Sequence, residues 1–269
     1  MTKRLRFTIL GCGTSTGVPR IGGDWGACDP NNPKNRRTRC SLLAEQFGDS
    51  DEPTRILIDT SPDMREQVLR AGIGSLDGVL YSHSHADHIH GIDDLRGFAM
   101  NMRRRVDVHA DQPTMARLKT GFGYCFRTPP GGDYPPILNG NHIVAGENVT
   151  VNGAGGALTA LPLLQDHGSI HSLGFRIGNL AYSPDVNRLP ADTVKALAGL
   201  DVWIVDALRH KSHPSHFSVE EALAWIERLK PKRAILTHMH VDLDYETLRR
   251  ALPDHIEPAF DGMVVELSL

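Results

Sequence analysis

Three imidazoles and a carboxylate stand within six consecutive residues, His83-Ser84-His85-Ala86-Asp87-His88, directly behind the apolar run Val79-Leu80-Tyr81. This pattern constrains the fold more than any other in the chain, because a strand has to end where several metal ligands can meet. Alternate side chains of an extended stretch share a face, so His83 and His85 can hold one ion. Once the chain turns, Asp87 and His88 can reach a second ion beside it. One cluster therefore predicts two metals, and two metals predict hydrolysis. A histidine-rich tract alone can be a loose metal scavenger. Here the histidines end an apolar strand, an aspartate lies among them, and isolated candidates follow at His167, Asp185 and His238, each a polar residue just past an apolar run.

The remaining composition sets bounds. A chain of 269 residues, 40% hydrophobic, has ample material for a core and reads as one domain over 1–269. A formal net charge of -3 gives no electrostatic basis for gripping long nucleic acid or an anionic membrane. Cys12, Cys28, Cys40 and Cys125 are scattered with no CxxC pair, which reads as reduced thiols and predicts a cytoplasmic protein. The basic start, Met1 to Arg6, is followed by an apolar run too short for a signal peptide, and no later stretch has the length of a membrane span.

Short apolar or β-branched runs predict strands at 6–10, 55–58, 79–81, 106–109, 158–163, 173–177, 180–182, 202–205, 234–236 and 264–267. Helices are predicted at 62–71, with Ser61 as N-cap and Pro62 at the first position, and at 193–198 and 245–251. Ser218-Val219-Glu220-Glu221 reads as a capping box opening an amphipathic helix to Leu229. Strands and helices alternate unevenly in both halves, which suggests two sheets covered by helices rather than one doubly wound sheet.

Residues 96–137 stand apart. They contain Arg103-Arg104-Arg105 and a Gly/Pro/aromatic segment with Tyr124, Phe126, Arg127 and Tyr134, which reads as a long lid-like insertion. Aromatic faces can stack on a base and guanidinium groups can clamp a phosphate. Arg103, Tyr124, Phe126 and Arg127, with Ser218 at a helix start, are therefore the candidate substrate-binding residues.

With the downstream His167, Ser183-Pro184-Asp185 and Thr237-His238, the H-x-H-x-D-H cluster, Ile58-Asp59 and the glycine-rich first turn resemble the metallo-β-lactamase superfamily over essentially the whole sequence. The resemblance implies a four-layer αββα sandwich in the α/β class. It implies one metal held by His83, His85 and His167 and a second held by Asp87, His88 and His238, with Asp185 bridging and Asp59 orienting a ligand from behind. Zinc or manganese suits such donors, with iron as a third option.

Gly11-Cys12-Gly13-Thr14-Ser15-Thr16-Gly17-Val18-Pro19, Arg36-Arg37-Thr38-Arg39-Cys40-Ser41 and Phe260-Asp261-Gly262-Met263 look like the phosphonate-pathway phosphodiesterases, which open cyclic ribosyl phosphates, and their tRNase Z-like relatives. His216, in His213-Pro214-Ser215-His216, matches that group's non-ligand histidine. Just before a helix, it can donate a proton to a leaving alkoxide while the helix N-terminus favours phosphate. Relatives in that group carry a structural zinc on clustered cysteines where this chain has only Cys28, so no structural zinc is expected.

The expectation is a binuclear hydrolase that opens a small cyclic ribose or nucleotide phosphate through hydroxide held between the ions. Asp87 and His216 are its catalytic residues. The partner is then a small, nucleotide-like phosphate ester, and a homodimer is compatible with the reading. A thioester or lactam hydrolase and a tRNase Z-like nuclease are the alternatives.

Overall fold

The computed structural model describes residues 4–50 and 52–268; residues 1–3, 51 and 269, and with them part of the basic start, lie outside the described residues. The first half of the chain supplies β1 (Arg4–Gly11), β2 (Ser41–Phe47), β3 (Thr54–Ile58), β4 (Gly78–Leu80), β5 (Val106–Ala110) and β6 (Leu138–His142). The second half supplies β7 (Val149–Gly153), β8 (Gly156–His167), β9 (Ile170–Ile177), β10 (Leu180–Ser183), β11 (Val202–Asp206), β12 (Arg233–Thr237), β13 (Ile256–Pro258) and β14 (Met263–Ser268). They form two seven-stranded sheets, in the orders β14-β1-β2-β3-β4-β5-β6 and β13-β12-β11-β10-β9-β8-β7. The last strand thus returns to pair with the first, antiparallel from Arg4↔Ser268 to Ile9↔Met263.

Eight α-helices accompany the described strands: α1 (Met64–Ala71), α2 (Ala86–Ile89), α3 (Leu95–Met102), α4 (Gln112–Gly121), α5 (Gly123–Phe126), α6 (Ala191–Ala196), α7 (Val219–Leu229) and α8 (Tyr245–Ala251). Strand periodicity decides the layers. Phe7, Ile9, Leu42, Ile56 and Leu80 of the first sheet face Leu163, Phe175, Tyr182, Val205 and Leu236 of the second in one apolar cluster. The alternate residues Leu43, Leu57, Val79 and Val108 point the other way, onto Met64 and Val68 of α1, Leu95 and Phe98 of α3, and Met115 and Leu118 of α4. On the far side, Val219, Ala222 and Ile226 of α7 and Leu248 of α8 join the first cluster. Helix, sheet, sheet, helix is the αββα sandwich.

Parallel pairing fixes where function gathers. β10, β11 and β12 are mutually parallel, as are β3, β4 and β5, so their carboxyl ends share one rim. Among the described residues no helix is long and apolar enough to cross a membrane.

Several expectations need correction. Residues 96–137 are not one irregular lid: they hold most of α3 and all of β5, α4 and α5, and only about the last ten residues run without regular structure. The apolar spacing of Leu95, Phe98, Met115 and Leu118 outweighs the local Gly and Pro content. α1 begins at Met64 with Asp63 as its N-cap residue, and Ser61 Oγ instead accepts the Asp63 N–H at 3.1 Å. α6 spans Ala191–Ala196 rather than 193–198. By contrast, α7 follows its capping box, with Ser218 Oγ accepting the Glu221 N–H and Glu221 reaching back to the Ser218 N–H.

Candidate metal centre

Beyond β4 the chain stays extended through Ser82, whose carbonyl accepts the Leu173 N–H of the opposite sheet at 2.8 Å. This bond ties the histidine loop across both sheets. His83 and His85 follow, and the short α2 then swings Asp87 and His88 inward. The Thr60 N–H donates to the His88 carbonyl and the Gly91 N–H to the Thr60 carbonyl, both at 2.9 Å. Gly91 has no room for a side chain, since a Cβ there would lie 2.1 Å from the Ser61 carbonyl oxygen.

The other residues arrive at strand ends. His167 closes β8, Asp185 lies just past β10, and His238 just past β12. His238 and Asp59 both adopt left-handed backbone, at φ 58° and 64°, a conformation that costs energy in a residue with a side chain and is typical of functional sites.

Three overlapping groups of donor atoms result, each within 4.8 Å of one another: His83, His85, His167 and Asp185; Asp87, His88 and His238; and Asp185, His216 and His238, which brings His216 up to the same cluster. Asp185 spans the first two. Its Oδ1 lies 3.1 Å from both His88 Nε2 and His238 Nδ1, while its Oδ2 lies 3.6 Å from His167 Nε2 and 3.9 Å from His83 Nε2. Asp59 stands behind, accepting from the Ser82 N–H and Oγ at 2.7 Å and facing His88 Nδ1 at 2.8 Å. That contact directs His88 Nε2 into the cluster, the orienting role expected of a carboxylate behind a ligand.

His83 Nε2 is buried with no hydrogen-bond partner, and His88 Nε2 and Asp185 Oδ1, equally buried, have only the cluster itself to face. Groups so placed are costly unless something coordinates them, and a divalent cation fits this set of imidazole and carboxylate donors. The electrostatics divide the ligands. Burial holds the His83 imidazole well below its ordinary value and lowers His167 to about 4, favouring the neutral form that ligates metal. Against the pull of burial, the neighbouring Asp185 raises His88 and His238 well above the ordinary value, so those two must give up a proton when an ion binds. Burial alone would raise Asp185, yet His238 and His88 beside it hold its carboxyl well below the usual range.

His216 lies against this cluster. Its ring stacks on His238 with centroids 4.6 Å apart and meets His167 edge-on at the same separation. Its Nδ1 lies 2.7 Å from Asp206 Oδ2, at the end of β11. Asp206 escaped the sequence reading, although it ends an apolar run in the same way as the other strand-end residues. Its Oδ2 also accepts the Val186 N–H at 3.0 Å, which fixes the carboxylate.

The substrate-binding candidates are not brought together. Arg103 and Arg127 are exposed, Phe126 packs on the outer core, and Tyr124 opens with Arg96 and Tyr134 onto a separate hollow. Arg104 is engaged with Asp77 at 3.2 Å. Ser218 Oγ is engaged as the cap of α7, accepting the Glu221 N–H, while Glu221 accepts the Ser218 N–H in return. Cys28 Sγ contacts the carbonyls of Val241 and Leu243 at 3.3 and 3.4 Å.

Residues 54–239, well over half of the chain, match the beta-lactamase superfamily domain. The chain belongs to the metallo-β-lactamase superfamily, and its clustered imidazole and carboxylate donors suit a divalent metal ion. The crystal structure of a new diphosphatase from the PhnP family superposes with a TM-score of 0.88 at 36% identity, covering 100% of this chain and 99% of that one. An octanoyltransferase of Porphyromonas gingivalis is 36% identical over 264 residues, 96% of this chain but 51% of that protein. A ribonuclease Z of Bradyrhizobium diazoefficiens is 30% identical over 148 residues, 52% of this chain and 42% of that protein. The chain thus spans about half the length of the curated relatives it matches.

Proposed function

We propose that this hydrolase is a binuclear phosphodiesterase acting on a small, nucleotide-like phosphate ester, with cyclic ribose or nucleotide phosphates as the substrate class. The observation that carries it is Asp185, whose two oxygens face two separate donor groups. His83, His85 and His167 would hold one ion, Asp87, His88 and His238 the other, and Asp185 both. Zinc, manganese or iron suits these donors. When bound, the ions supply a water acidic enough to ionise near neutral pH and positive charge for the phosphoryl oxygens.

The chain's own residues supply the rest. With Nδ1 tied to Asp206, His216 has Nε2 left to carry a proton to the leaving oxygen, a step worth roughly 10²–10⁴-fold in rate. Asp59 and the Ser215 carbonyl, which lies 2.6 Å from His167 Nδ1, set the orientation of His88 and His167. The diphosphatase resemblance over the full chain supports phosphorus chemistry. The test is turnover of cyclic phosphates, linear diesters and thioesters by zinc- and manganese-loaded protein, with metal content measured in parallel. Full activity at one metal equivalent, or no turnover of any phosphodiester, overturns the reading.

One observation favours a second reading, hydrolysis of acyl thioesters: the identity shared with half of an octanoyltransferase. An octanoyl thioester in the same panel separates the two, since acyl transfer to water has no need of His216 as proton donor to an alkoxide.

A further inference from the structure

Three segments that carry the site meet at one side chain outside it. Asn187 lies two residues beyond Asp185, with its backbone pinned to the end of β8. Its N–H donates to the Asp166 carbonyl at 2.9 Å, and the Asp166 N–H donates to the Arg188 carbonyl at 3.0 Å. The side-chain amide then reaches both ways. Oδ1 accepts the Gly168 N–H at 3.1 Å, in the turn directly after His167. Nδ2 donates to the Pro214 carbonyl at 2.8 Å, in the loop that leads to His216. Turn and loop pack without a gap, since a Cβ on Gly168 would lie 2.8 Å from the Ser215 Cβ.

The Pro214 carbonyl and the Ser215 N–H belong to one planar peptide group, and that N–H donates to His213 Nδ1 at 3.3 Å. Asn187 and His213 therefore grip the same peptide from opposite sides. Further along, the Phe217 N–H donates to the Val186 carbonyl at 2.7 Å. Between these two anchors the Ser215 carbonyl has little freedom, and it lies 2.6 Å from His167 Nδ1. A carbonyl in that place takes the Nδ1 proton and leaves the lone pair on Nε2. His167 Nε2 is the atom that faces the cluster, 3.2 Å from His85 Nδ1 and 3.6 Å from Asp185 Oδ2.

We infer that Asn187 is a positioning residue for the ion held by His83, His85 and His167. By holding Gly168 and Pro214 it sets the Ser215 carbonyl against His167 and keeps that imidazole in the tautomer and direction that ligate. The inference rests on the metal-site reading of this donor set, and not on which ester is hydrolysed.

The test is chelator competition on zinc-loaded protein, which reads the affinity of each ion in turn. Asn187→Asp keeps an acceptor for the Gly168 N–H but sets an oxygen against the Pro214 carbonyl. Asn187→Ala loses both bonds and adds no charge. Asn187 is only half-buried, so neither change opens a cavity in the core. Each should weaken one of the two ions about ten-fold or more and the other much less. In a His167→Ala background the same substitutions should weaken zinc binding no further, because they act through that ring alone. A residue that merely ties the surface loop would instead lower the melting temperature of metal-free protein equally in both backgrounds and leave both zinc affinities as they were. That result overturns the inference, as does a loss of affinity that adds in full to the loss from His167→Ala. Unmodified protein that takes up a single zinc ion removes the binuclear reading and not this one, which the same cycle with His167 then decides.

Discussion

Asp206 Oδ2 sits 2.7 Å from His216 Nδ1, and both are buried at the carboxyl ends of the second sheet, against the metal ligands. A carboxylate on one nitrogen fixes the tautomer and aims the other nitrogen, the same logic by which Asp59 holds His88. The site is therefore built on two aspartate–histidine pairs, one behind a ligand and one behind the proposed acid. Asp206→Asn should leave metal content unchanged and lower kcat on esters with poor leaving groups by roughly 10–100-fold, the range for loss of such an orienting partner. An activated aryl ester, whose leaving group needs no proton, should be nearly unaffected. Equal losses on both esters would show that Asp206 positions something other than a proton donor.

Asp185 and Asp59 should separate by what they do to metal. Asp185→Ala removes the oxygens facing both groups, so emission spectrometry after desalting should find the second equivalent depleted and turnover abolished. Asp59→Ala keeps every donor in place but frees the His88 ring, and metal affinity should fall roughly 10–100-fold. Normal activity restored to Asp59→Ala by excess metal is the expected signature. Restoration of Asp185→Ala by the same treatment would argue against its bridging role.

Much of this was legible before any coordinates, and for a physical reason. Metal donors need fixed identities at strand ends, so His83, His85, Asp87, His88, His167, Asp185 and His238 show as polar residues breaking apolar runs. Strands buried on both faces or paired at edges are harder to see. β6 reads Leu138-Asn139-Gly140-Asn141-His142 and β13 is three residues long; both are sheet edges whose pairing, not pattern, defines them. β2 contains Glu45 and Gln46, and Glu45 is buried only because Arg55 across the strand pair meets it at 3.0 Å. Residues 96–137 depart from an irregular lid because the helical spacing of Phe98, Met115 and Leu118 outweighs the segment's Gly and Pro content.

Ser218 was a substrate-binding candidate that the fold uses as a cap. Ser218→Ala should therefore cost about 1 kcal/mol of stability, the usual value for a lost N-cap, and leave KM for any phosphate ester unchanged. Thermal melts and steady-state kinetics on the same preparation check it. A several-fold rise in KM with unaltered melting would restore the substrate role.

Asp244 gives a pH signature away from the metals. It caps α8 through the Thr247 N–H at 2.9 Å and accepts from Asn35 Nδ2 at 2.7 Å, pinning the first-turn loop to that helix. Its slight burial opposes ionisation, but these hydrogen bonds and one from the Asp29 N–H bring its carboxyl down to about 2. A carboxylate whose folded value lies below its unfolded one contributes stability above the unfolded value, about 3.9, and loses it as pH falls through the folded value. Asp244→Asn keeps an oxygen acceptor but has no charge to titrate. The unfolding free energy of the unmodified protein minus that of Asp244→Asn should therefore be constant above about pH 5 and shrink steadily toward pH 2. Taking the difference cancels the titration of the metal ligands, which both proteins share. A difference that stays flat across that window would mean the Asp244 bonds act as neutral hydrogen bonds and the loop is held by shape alone.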